Sequence, residues 1–249
     1  MEIKLLTLNI WRYFGWKERK KALIEFLKKE NPDIICLQEV NNDPKFNEGN
    51  ANQAELIAKA LNYKYWAFAP ISRMEKWNGV PLDREVWMGD AIISKSPINE
   101  ETHHILKRYP QNGDGKDFGF LHTKIAVDYE EIDVVSVHFA NNDKSSKLHL
   151  KETLDWCKRK GIKPIIAGDF NMIKTKNLEI ADKEYEISYK IKKYLSFPPT
   201  PFSYNKVPVT LDYIITNKER FKIKSIECKE KVNVSDHKPV ISKIALISS

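Results

Sequence analysis

The stretch Ile165-Ile166-Ala167-Gly168-Asp169-Phe170-Asn171 decides the predicted fold. A short apolar run, introduced by Lys163-Pro164, is typical of a buried strand. Gly168 permits a sharp turn, so Asp169 and Asn171 are both expected at the end of that strand. A carboxylate and an amide held side by side can orient and deprotonate a water molecule. The alternative is an Asx turn that only leads the chain out of the strand.

Composition limits the classes of protein to which this chain can belong. It has 249 residues, 42% of them hydrophobic, so it can bury a core without metal or disulfide staples. Residues 1–5 carry no signal-peptide pattern, and no apolar run approaches the roughly 18 residues that indicate a membrane span. The three cysteines have no metal-binding spacing, and Cys36 lies in an apolar run. We expect one domain over residues 1–249 that is a monomer in a reducing, cytoplasmic setting.

The formal net charge is +7, and the excess comes from lysines spread along the chain. A positive protein attracts polyanions, which indicates a nucleic-acid partner. An alternative origin of the scattered lysine is a hot habitat or an A/T-rich genome.

Strands outnumber helices in the predicted pattern. Strands are expected at 3–10, 33–39, 63–69, 91–94, 101–107, 118–127, 132–139, 165–168, 210–216, 221–229 and 239–246. Helices are expected at 17–30, 51–61, 144–160 and 174–194, and long loops at 71–88, 108–117 and 196–208. A single parallel sheet needs a helix at every crossover, whereas several of these strands are joined by short turns. The pattern therefore predicts an α/β protein in which two mixed sheets pack face to face with helices outside.

Polar residues sit at the ends of several predicted strands. Those that close an apolar run are Asn9, Gln38, Glu39, His138 and Asp169, and those that precede or begin one are Asp212, Asp236 and His237. Antiparallel neighbours bring strand starts and strand ends to one rim, where ligands gather. Carboxylates, amides and histidines without cysteine suit a hard cation, Mg²⁺ or Mn²⁺.

Each of these residues also has a purely structural interpretation. Asn9 suits a turn, and Asp236 suits an Asx turn before Pro239. Glu39 suits a helix cap or the surface, and His138 suits a hydrogen-bonded position beside the core. A consistent placement of all of them at one rim favours the functional interpretation.

The same residues carry a family resemblance. The segments, in chain order, are Leu6-Thr7-Leu8-Asn9, Leu37-Gln38-Glu39, Gly89–Ile98, Ser136-Val137-His138, Gly168-Asp169-Phe170-Asn171, Leu211-Asp212-Tyr213 and Ser235-Asp236-His237. They resemble the motifs of the endonuclease/exonuclease/phosphatase superfamily from residue 6 to about residue 240. The resemblance implies a four-layer α/β/β/α sandwich and Mg²⁺-dependent phosphoester hydrolysis, with Mn²⁺ as a substitute.

Departures from the family patterns indicate which branch of the superfamily this chain resembles most. Val137-His138-Phe139 stands where apurinic-site endonucleases carry a Tyr-x-Pro-Asn-Gly segment, and it is more similar to deoxyribonucleases, sphingomyelinases and tyrosyl-DNA phosphodiesterases. Ser235–Val240 is similar to inositol-polyphosphate phosphatases, whose other signatures are absent. Many relatives have a phosphate-binding arginine where this chain has Phe118, so Arg108 or Lys116 would have to substitute.

The resemblance assigns expected roles to the site residues. Glu39 is expected to bind the metal directly, with Asn9 and Asp236 completing the cage. Asp169 is expected to take the proton from the attacking water, which Asn171 helps to hold.

The remaining roles concern the phosphate. His237 is expected to donate a proton or hydrogen bond to it, with Asp212 fixing the imidazole tautomer. His138 is expected to contact the phosphate or assist the leaving oxygen.

Three classes of function follow. A nuclease or DNA-end phosphodiesterase is the leading expectation. A phospholipid or inositol-phosphate phosphoesterase is the rival, in which Trp77 and Trp87 would touch a membrane. A catalytically inactive binding module is the third, although such modules usually lose a carboxylate and none is missing here.

Overall fold

The computed structural model describes residues 1–77, 79–199 and 207–247. The strands assigned in this part of the chain are β1 (Glu2–Asn9), β2 (Ile34–Asn42), β3 (Tyr65–Arg73), β4 (Lys76–Trp77), β5 (Val80–Pro81), β6 (Trp87–Ser94), β7 (Ile98–Ile105), β8 (Gly119–Val127), β9 (Glu130–His138), β10 (Ile165–Asp169), β11 (Tyr185–Ile187), β12 (Asp212–Asn217), β13 (Phe221–Cys228) and β14 (Val240–Leu246). The α-helices are α1 (Trp16–Glu30), α2 (Gln53–Leu61), α3 (Asp143–Lys160) and α4 (Ser188–Ile191).

Two six-stranded sheets form the centre of the fold. The first has the strand order β13-β14-β1-β2-β6-β3, and the second has the order β11-β12-β10-β9-β8-β7. The pairs β1–β2 and β9–β10 are parallel, and every other neighbouring pair in the two sheets is antiparallel. Both sheets are therefore mixed, as predicted.

Three apolar clusters define four layers. Alternate residues of both sheets, such as Leu5, Ile92, Val134 and Ala167, fill the space between them. Residues of α1 and α2 pack with β1 and β2 on the outer side of the first sheet. Residues of α3 pack with β9 and β10 on the outer side of the second. This confirms the predicted α/β/β/α arrangement.

Local sequence explains the ends of the outer helices. The side chains of Asn52 and Asn142 accept backbone N–H bonds of 3.0 Å and 2.8 Å at the starts of α2 and α3. Asn31 ends α1 in the left-handed region, donates its N–H to the Leu27 carbonyl at 2.8 Å, and is followed by Pro32. Among the described residues, the structure shows no helix both long and apolar enough to cross a membrane.

Two predicted elements are wrong. The charged segment 174–194 is not one helix, because Thr175–Ala181 is a 3₁₀ helix and β11 follows it. Tyr185 and Ile187 are buried where β11 pairs with β12, so the sheet edge overrides helix propensity. The loop predicted at 71–88 is shorter, since β3 and β6 extend into it and the small β4–β5 hairpin occupies its middle. The predicted loop 196–208 lies in part outside the described residues.

Candidate active site

Three predicted site residues form a row across the second sheet. His138 is the last residue of β9, Asp169 is the last residue of β10, and Asp212 is the first residue of β12. Asp169 pairs directly with His138 on one side and with Asp212 on the other. The parallel and antiparallel neighbours of β10 therefore bring a strand start and two strand ends to one rim, as the sequence predicted.

The first sheet supplies Asn9 and Glu39 to the same rim. Asn9 ends β1 and pairs with Gln38 of β2. The register of β2 against β6 shifts between Leu37 and Val40, and Glu39 in this bulge has a φ of 54°. A bulge redirects a side chain, at a backbone cost of about 1–2 kcal/mol for a non-glycine residue in the left-handed region. Glu39 therefore reaches the rim although β2 continues beyond it.

Hydrogen bonds between the sheets fix the two halves of the rim. The Asn9 amide Nδ2 donates to Asp169 Oδ2 at 3.0 Å, and the Gln38 Nε2 donates to Ser136 Oγ at 2.9 Å. The Ser235 hydroxyl donates to the Asn9 carbonyl oxygen at 2.6 Å, which ties the segment before β14 to the end of β1. These buried bonds set the separation of the carboxylates across the interface.

Two histidine rings approach the same oxygen of Asp169. His237 Nε2 lies 3.7 Å from Asp169 Oδ2, and His138 Nε2 lies 3.8 Å from it. His237 Nδ1 shares a hydrogen bond of 2.9 Å with Asp212 Oδ2, which leaves Nε2 directed to the site. All four side chains are buried. A base, an oriented imidazole and a second imidazole are therefore gathered within a few ångströms.

Burial and the surrounding charges shift the pKa values of this group. Burial is the largest influence on Asp169, and together with the Asp212 carboxylate it raises the Asp169 pKa to about 7. Burial alone would lower the pKa of His237, but the carboxylates of Asp212 and Asp169 outweigh it and raise that pKa to about 10. His237 is therefore an imidazolium near neutral pH, and Asp169 titrates where a general base operates.

Glu39 lies in a positive environment. Burial by itself raises its pKa, but the charges of Arg12, Lys116 and His237 more than offset burial and lower the pKa of Glu39 to about 2. Arg12 contributes directly, because its Nε donates to Glu39 Oε2 at 3.0 Å. Burial and the Lys116 charge lower the pKa of His138 to about 3, so this imidazole is neutral. Glu39 is therefore ionised and His138 is uncharged near neutral pH.

The donors on the Glu39 side fit a hard cation. Asp90 of β6 faces the β2 bulge, is 1% exposed, and has no hydrogen-bond partner for either carboxylate oxygen among the described residues. Burial and the Asp169 carboxylate raise its pKa well above the usual value. Buried carboxylates without partners are costly, and a divalent cation beside Glu39 and Asp90 would remove that cost.

A second acidic cluster has a different character. One ligand atom each from Asp169, Asp212 and His237 lie within 4.8 Å of one another. Asp212 Oδ2 and His237 Nδ1 already share a hydrogen bond of 2.9 Å, whereas Asp212 Oδ1 is buried without a hydrogen-bond partner among the described residues. This trio therefore suits proton handling at the phosphate better than it suits a closed metal cage.

The remaining predicted residues occupy less direct positions. Asn171 donates its N–H to Asp169 Oδ1 at 3.0 Å and its Nδ2 to the Phe139 carbonyl at 2.9 Å, so it positions the base. Asp236 is partly buried and accepts a bond from Ser235 Oγ at 3.1 Å. The Lys116 charge acts on Glu39, whereas Arg108 is exposed and paired through Nε with Asp117 at 3.1 Å. Within the described residues, Arg108 makes no contact with a site carboxylate.

Sequence reasoning missed Arg12 and Asp90 as parts of this site. Arg12 follows Asn9 by three positions, but no spacing in the sequence links it to Glu39. Asp90 carries a readable signal, because an acid directly before the apolar run Ala91–Ile93 continues a strand that is otherwise buried. That signal is an ionisable side chain in a core strand.

Comparison with known proteins identifies the relatives of this chain. It is 26% identical over 266 residues to sphingomyelinase C of Leptospira interrogans, covering 89% of this chain and 45% of that protein. It is 30% identical over 278 residues to sphingomyelinase C of Bacillus cereus, covering 91% of this chain and 76% of that protein. The chain thus spans less than half of the first relative and about three quarters of the second.

A solved structure and a family model agree on the fold. The structure of an endonuclease/exonuclease/phosphatase family protein from Leptotrichia buccalis C-1013-b superimposes with a TM-score of 0.75 at 20% identity, covering 98% of this chain and 99% of that one. The Endonuclease/Exonuclease/phosphatase family model matches residues 6–237. With its carboxylates and histidines gathered at one rim, the chain belongs to the Endonuclease/Exonuclease/phosphatase family.

Proposed function

We propose that this protein is a divalent-metal-dependent phosphodiesterase that acts on nucleic acid by in-line attack of water. The observation that carries the proposal is the placement of Asp169 Oδ2 within 3.8 Å of His138 Nε2 and 3.7 Å of His237 Nε2. A phosphoryl group needs a base for the attacking water and donors for its oxygens, and this arrangement supplies both.

Asp169 is the base in this proposal. Its pKa of about 7 makes it basic enough to accept a proton from water near neutral pH. The Asn9 amide holds one carboxylate oxygen and the Asn171 N–H holds the other, each at 3.0 Å, so the carboxylate cannot rotate freely. A fixed carboxylate keeps the water aligned with the phosphorus atom.

His237 and His138 act on the phosphate oxygens. Asp212 holds the Nδ1 side of His237, so the Nε2–H of the imidazolium donates to charge that develops on the phosphate. His138 is neutral, which lets its Nε2 contact the phosphate or the leaving oxygen without a second positive charge. The two rings thus have separate electrostatic roles.

The metal is proposed to be Mg²⁺, with Mn²⁺ as a substitute. Glu39 would hold it, with Asn9 and Asp236 completing the donor set and Asp90 lying beside them. When bound, such an ion neutralises charge on a non-bridging oxygen and on the leaving group. Oxygen donors without cysteine are the set that these ions prefer.

Charge and aromatic faces support nucleic acid as the substrate. The net charge is +7, and the positive charges of Arg12 and Lys116 both act at the site. Trp11 and Trp77 lie beside arginines near the rim, the Arg12 guanidinium being 5.8 Å from the centre of the Trp77 ring. Cationic groups interleaved with aromatic rings are typical of sites for single-stranded nucleic acid.

A phospholipid head group is the second candidate. The relatives reported above are named sphingomyelinase C, and they supply the specific observation that favours a lipid. Nearby apolar side chains are also exposed, namely Phe14 at 42%, Phe46 at 39% and, in β5, Val80 at 66%. An amphipathic rim of this kind could lie against a membrane surface.

A metal-dependent activity panel separates these substrates. The purified protein would be assayed with Mg²⁺ or Mn²⁺ on single-stranded and duplex DNA, RNA, tyrosyl-DNA ends and phospholipid vesicles, with Asp169→Asn as the control for a contaminating activity. We expect cleavage of a nucleic acid that requires metal and is lost in Asp169→Asn. Turnover of phospholipid with no cleavage of any nucleic acid would replace the leading proposal with the second. No metal-dependent hydrolysis of any phosphodiester would overturn both.

The cellular setting is proposed to be the reducing cytoplasm. Cys36, Cys157 and Cys228 are all free thiols, and the first two are buried. Free buried thiols fit a compartment that keeps cysteine reduced.

A further inference from the structure

The loop between β1 and α1 carries an arginine whose guanidinium is only partly used. Arg12 donates through Nε to Glu39 Oε2 at 3.0 Å, and 36% of its side chain is exposed. Within residues 1–77, 79–199 and 207–247, the terminal nitrogens Nη1 and Nη2 have no hydrogen-bond acceptor. Arg12 therefore reaches the site with two donors to spare.

The backbone under this side chain is held in an uncommon conformation. Trp11 and Arg12 have φ values of 57° and 49°, in the left-handed region that glycine favours. Gln53 Nε2 donates to the Arg12 carbonyl at 2.9 Å, and Arg19 bonds to the carbonyls of Trp11, Arg12 and Phe14. The surrounding hydrogen bonds hold this strained backbone in place. Strain that is fixed in this way indicates that the position of the Arg12 side chain matters for function.

The contacts of the guanidinium also restrict its orientation. Glu39 holds Nε on one side, and the Trp77 ring lies 5.8 Å from the guanidinium carbon. A planar guanidinium anchored through Nε can still present a pair of parallel N–H donors, the geometry that matches two oxygens of one phosphate. Glu39 keeps its other oxygen, Oε1, on the side of His138, at 4.0 Å from Nε2.

The other candidates for phosphate recognition are less suited to it. The Arg108 guanidinium is exposed and engaged with Asp117. Lys116 contributes a positive charge near Glu39, Asp169 and Asp90, but a lysine has no fork of parallel donors. The Lys116 ammonium lies 5.0 Å from the centre of the Phe118 ring. Phe118 occupies the position at which the family resemblance implies a phosphate-binding arginine.

We propose that Arg12 is the phosphate-binding arginine of this protein, anchored through Nε by Glu39 and presenting Nη1 and Nη2 to the non-bridging oxygens of the scissile phosphodiester. This inference rests on the proposed phosphodiesterase function, which it deepens by assigning phosphate recognition to a loop different from the one that the resemblance indicates. A phosphodiester is the class of substrate that such a fork recognises.

The test compares Arg12→Lys with Arg84→Lys. Arg84 is the matched control, because it also binds a carboxylate through its fork, with Nε 2.6 Å and Nη2 2.8 Å from Asp43, but it is not part of the proposed machinery. Lysine keeps the charge beside Glu39 and removes the fork. Binding of inorganic phosphate in the presence of Mg²⁺ would be measured by calorimetry, and binding of Mn²⁺ alone by electron paramagnetic resonance.

We expect Arg12→Lys to weaken phosphate binding roughly tenfold and to raise KM for bis-p-nitrophenyl phosphate more than it lowers kcat, with Mn²⁺ affinity unchanged. Arg84→Lys should match the wild type in all three measurements. Unchanged phosphate binding in Arg12→Lys would overturn the inference. Parallel losses of phosphate and Mn²⁺ affinity would also overturn it, because they would show that Arg12 only supports Glu39.

The phosphate-binding measurement tests this inference separately from the proposed function. If no phosphodiester is hydrolysed but phosphate binding still depends on Arg12, the phosphodiesterase proposal fails and the phosphate site stands. If hydrolysis is robust but phosphate affinity and KM are the same in Arg12→Lys, the enzyme proposal stands and the role of Arg12 is refuted. Circular dichroism of each variant would establish that it is folded. Arg12→Gln provides a further variant that removes the charge as well as the fork, and it must also be shown to fold.

Discussion

The Asn9 amide donates a hydrogen bond of 3.0 Å to Asp169, and the two residues end strands of different sheets. Asn9 was predicted as a metal ligand and Asp169 as the base, so one buried bond couples the two proposed functions. The carbonyl oxygen of the Asn9 side chain accepts the Trp11 N–H at 3.0 Å and retains a second lone pair. A single amide thus positions the base with its nitrogen and can face a cation with its oxygen.

Replacing Glu39 by glutamine should affect the metal. The substitution keeps the size of the side chain and removes its charge, so we expect Mg²⁺-dependent turnover to fall by about 10²-fold and metal affinity by about 10-fold or more. The measurements are steady-state kinetics and a Mn²⁺ titration. Glu48→Gln is a suitable control, since Glu48 is exposed and pairs with Lys20. Near wild-type turnover in Glu39→Gln would remove Glu39 from the metal site.

Replacing Asp169 by asparagine should affect the chemical step. Asparagine has the same shape but cannot take the proton, so kcat should fall by roughly 10²–10⁴-fold while metal still binds. Single-turnover kinetics and the Mn²⁺ titration measure the two effects separately. Loss of metal affinity with an intact chemical step would make Asp169 a ligand instead of the base.

The rate should depend on pH through Asp169. A general base works only when ionised, so activity is present above its pKa and is lost as the pH falls through it. The pKa of Asp169 is about 7, raised by burial, and a bound divalent cation would lower it by favouring the carboxylate. We therefore expect kcat/KM to fall on the acidic side at or below about pH 7. The residual activity of Asp169→Asn should lack this acidic limb, and an identical limb in that variant would assign the titration to another group.

His237 and Asp212 should behave as one unit. Their shared hydrogen bond of 2.9 Å orients the imidazole, so removing either group disrupts the same function. We expect His237→Ala to lower kcat about as much as the double variant with Asp212→Ala, because effects within a unit are not additive. The measurement is a double-mutant cycle on kcat. Fully additive losses would show that Asp212 does not orient His237.

Salt dependence should reveal a polyanionic substrate. Each neutralised phosphate releases counterion, and with about three or four contacts the affinity for an oligonucleotide should drop roughly tenfold or more between about 50 and 200 mM monovalent salt. Lys116→Gln should reduce the slope, whereas Lys158→Gln, on the last turn of α3, should not. Flat salt dependence together with a tryptophan fluorescence shift on neutral vesicles would favour the lipid candidate.

Much of this structure could be predicted because its signals are local. Apolar runs ending in polar residues located β1, β2, β9 and β10, and the family motifs located the residues at their ends. The helix predicted at 174–194 failed because the pairing of β11 with β12 is a long-range contact that composition does not encode.

The unpredicted parts of the site depend on tertiary geometry. The contact between Arg12 and Glu39 joins the loop after β1 to the bulge in β2, 27 residues further along the chain, and both residues have left-handed backbone. The position of Asp90 also depends on tertiary geometry, because Asp90 faces Glu39 only where β2 carries a bulge opposite it. Periodicity predicts strands but does not predict where a strand register shifts.

The return of the chain to the first sheet has a consequence for synthesis. The central strand β1 pairs with β14, whose residues are among the last described, and His237 lies just before that strand. A ribosome must therefore release the C-terminal strand before β1 gains its second neighbour and the imidazole meets Asp212. A nascent chain lacking this strand has every carboxylate of the rim but no assembled site, so hydrolytic activity should begin only after translation of β14 is complete.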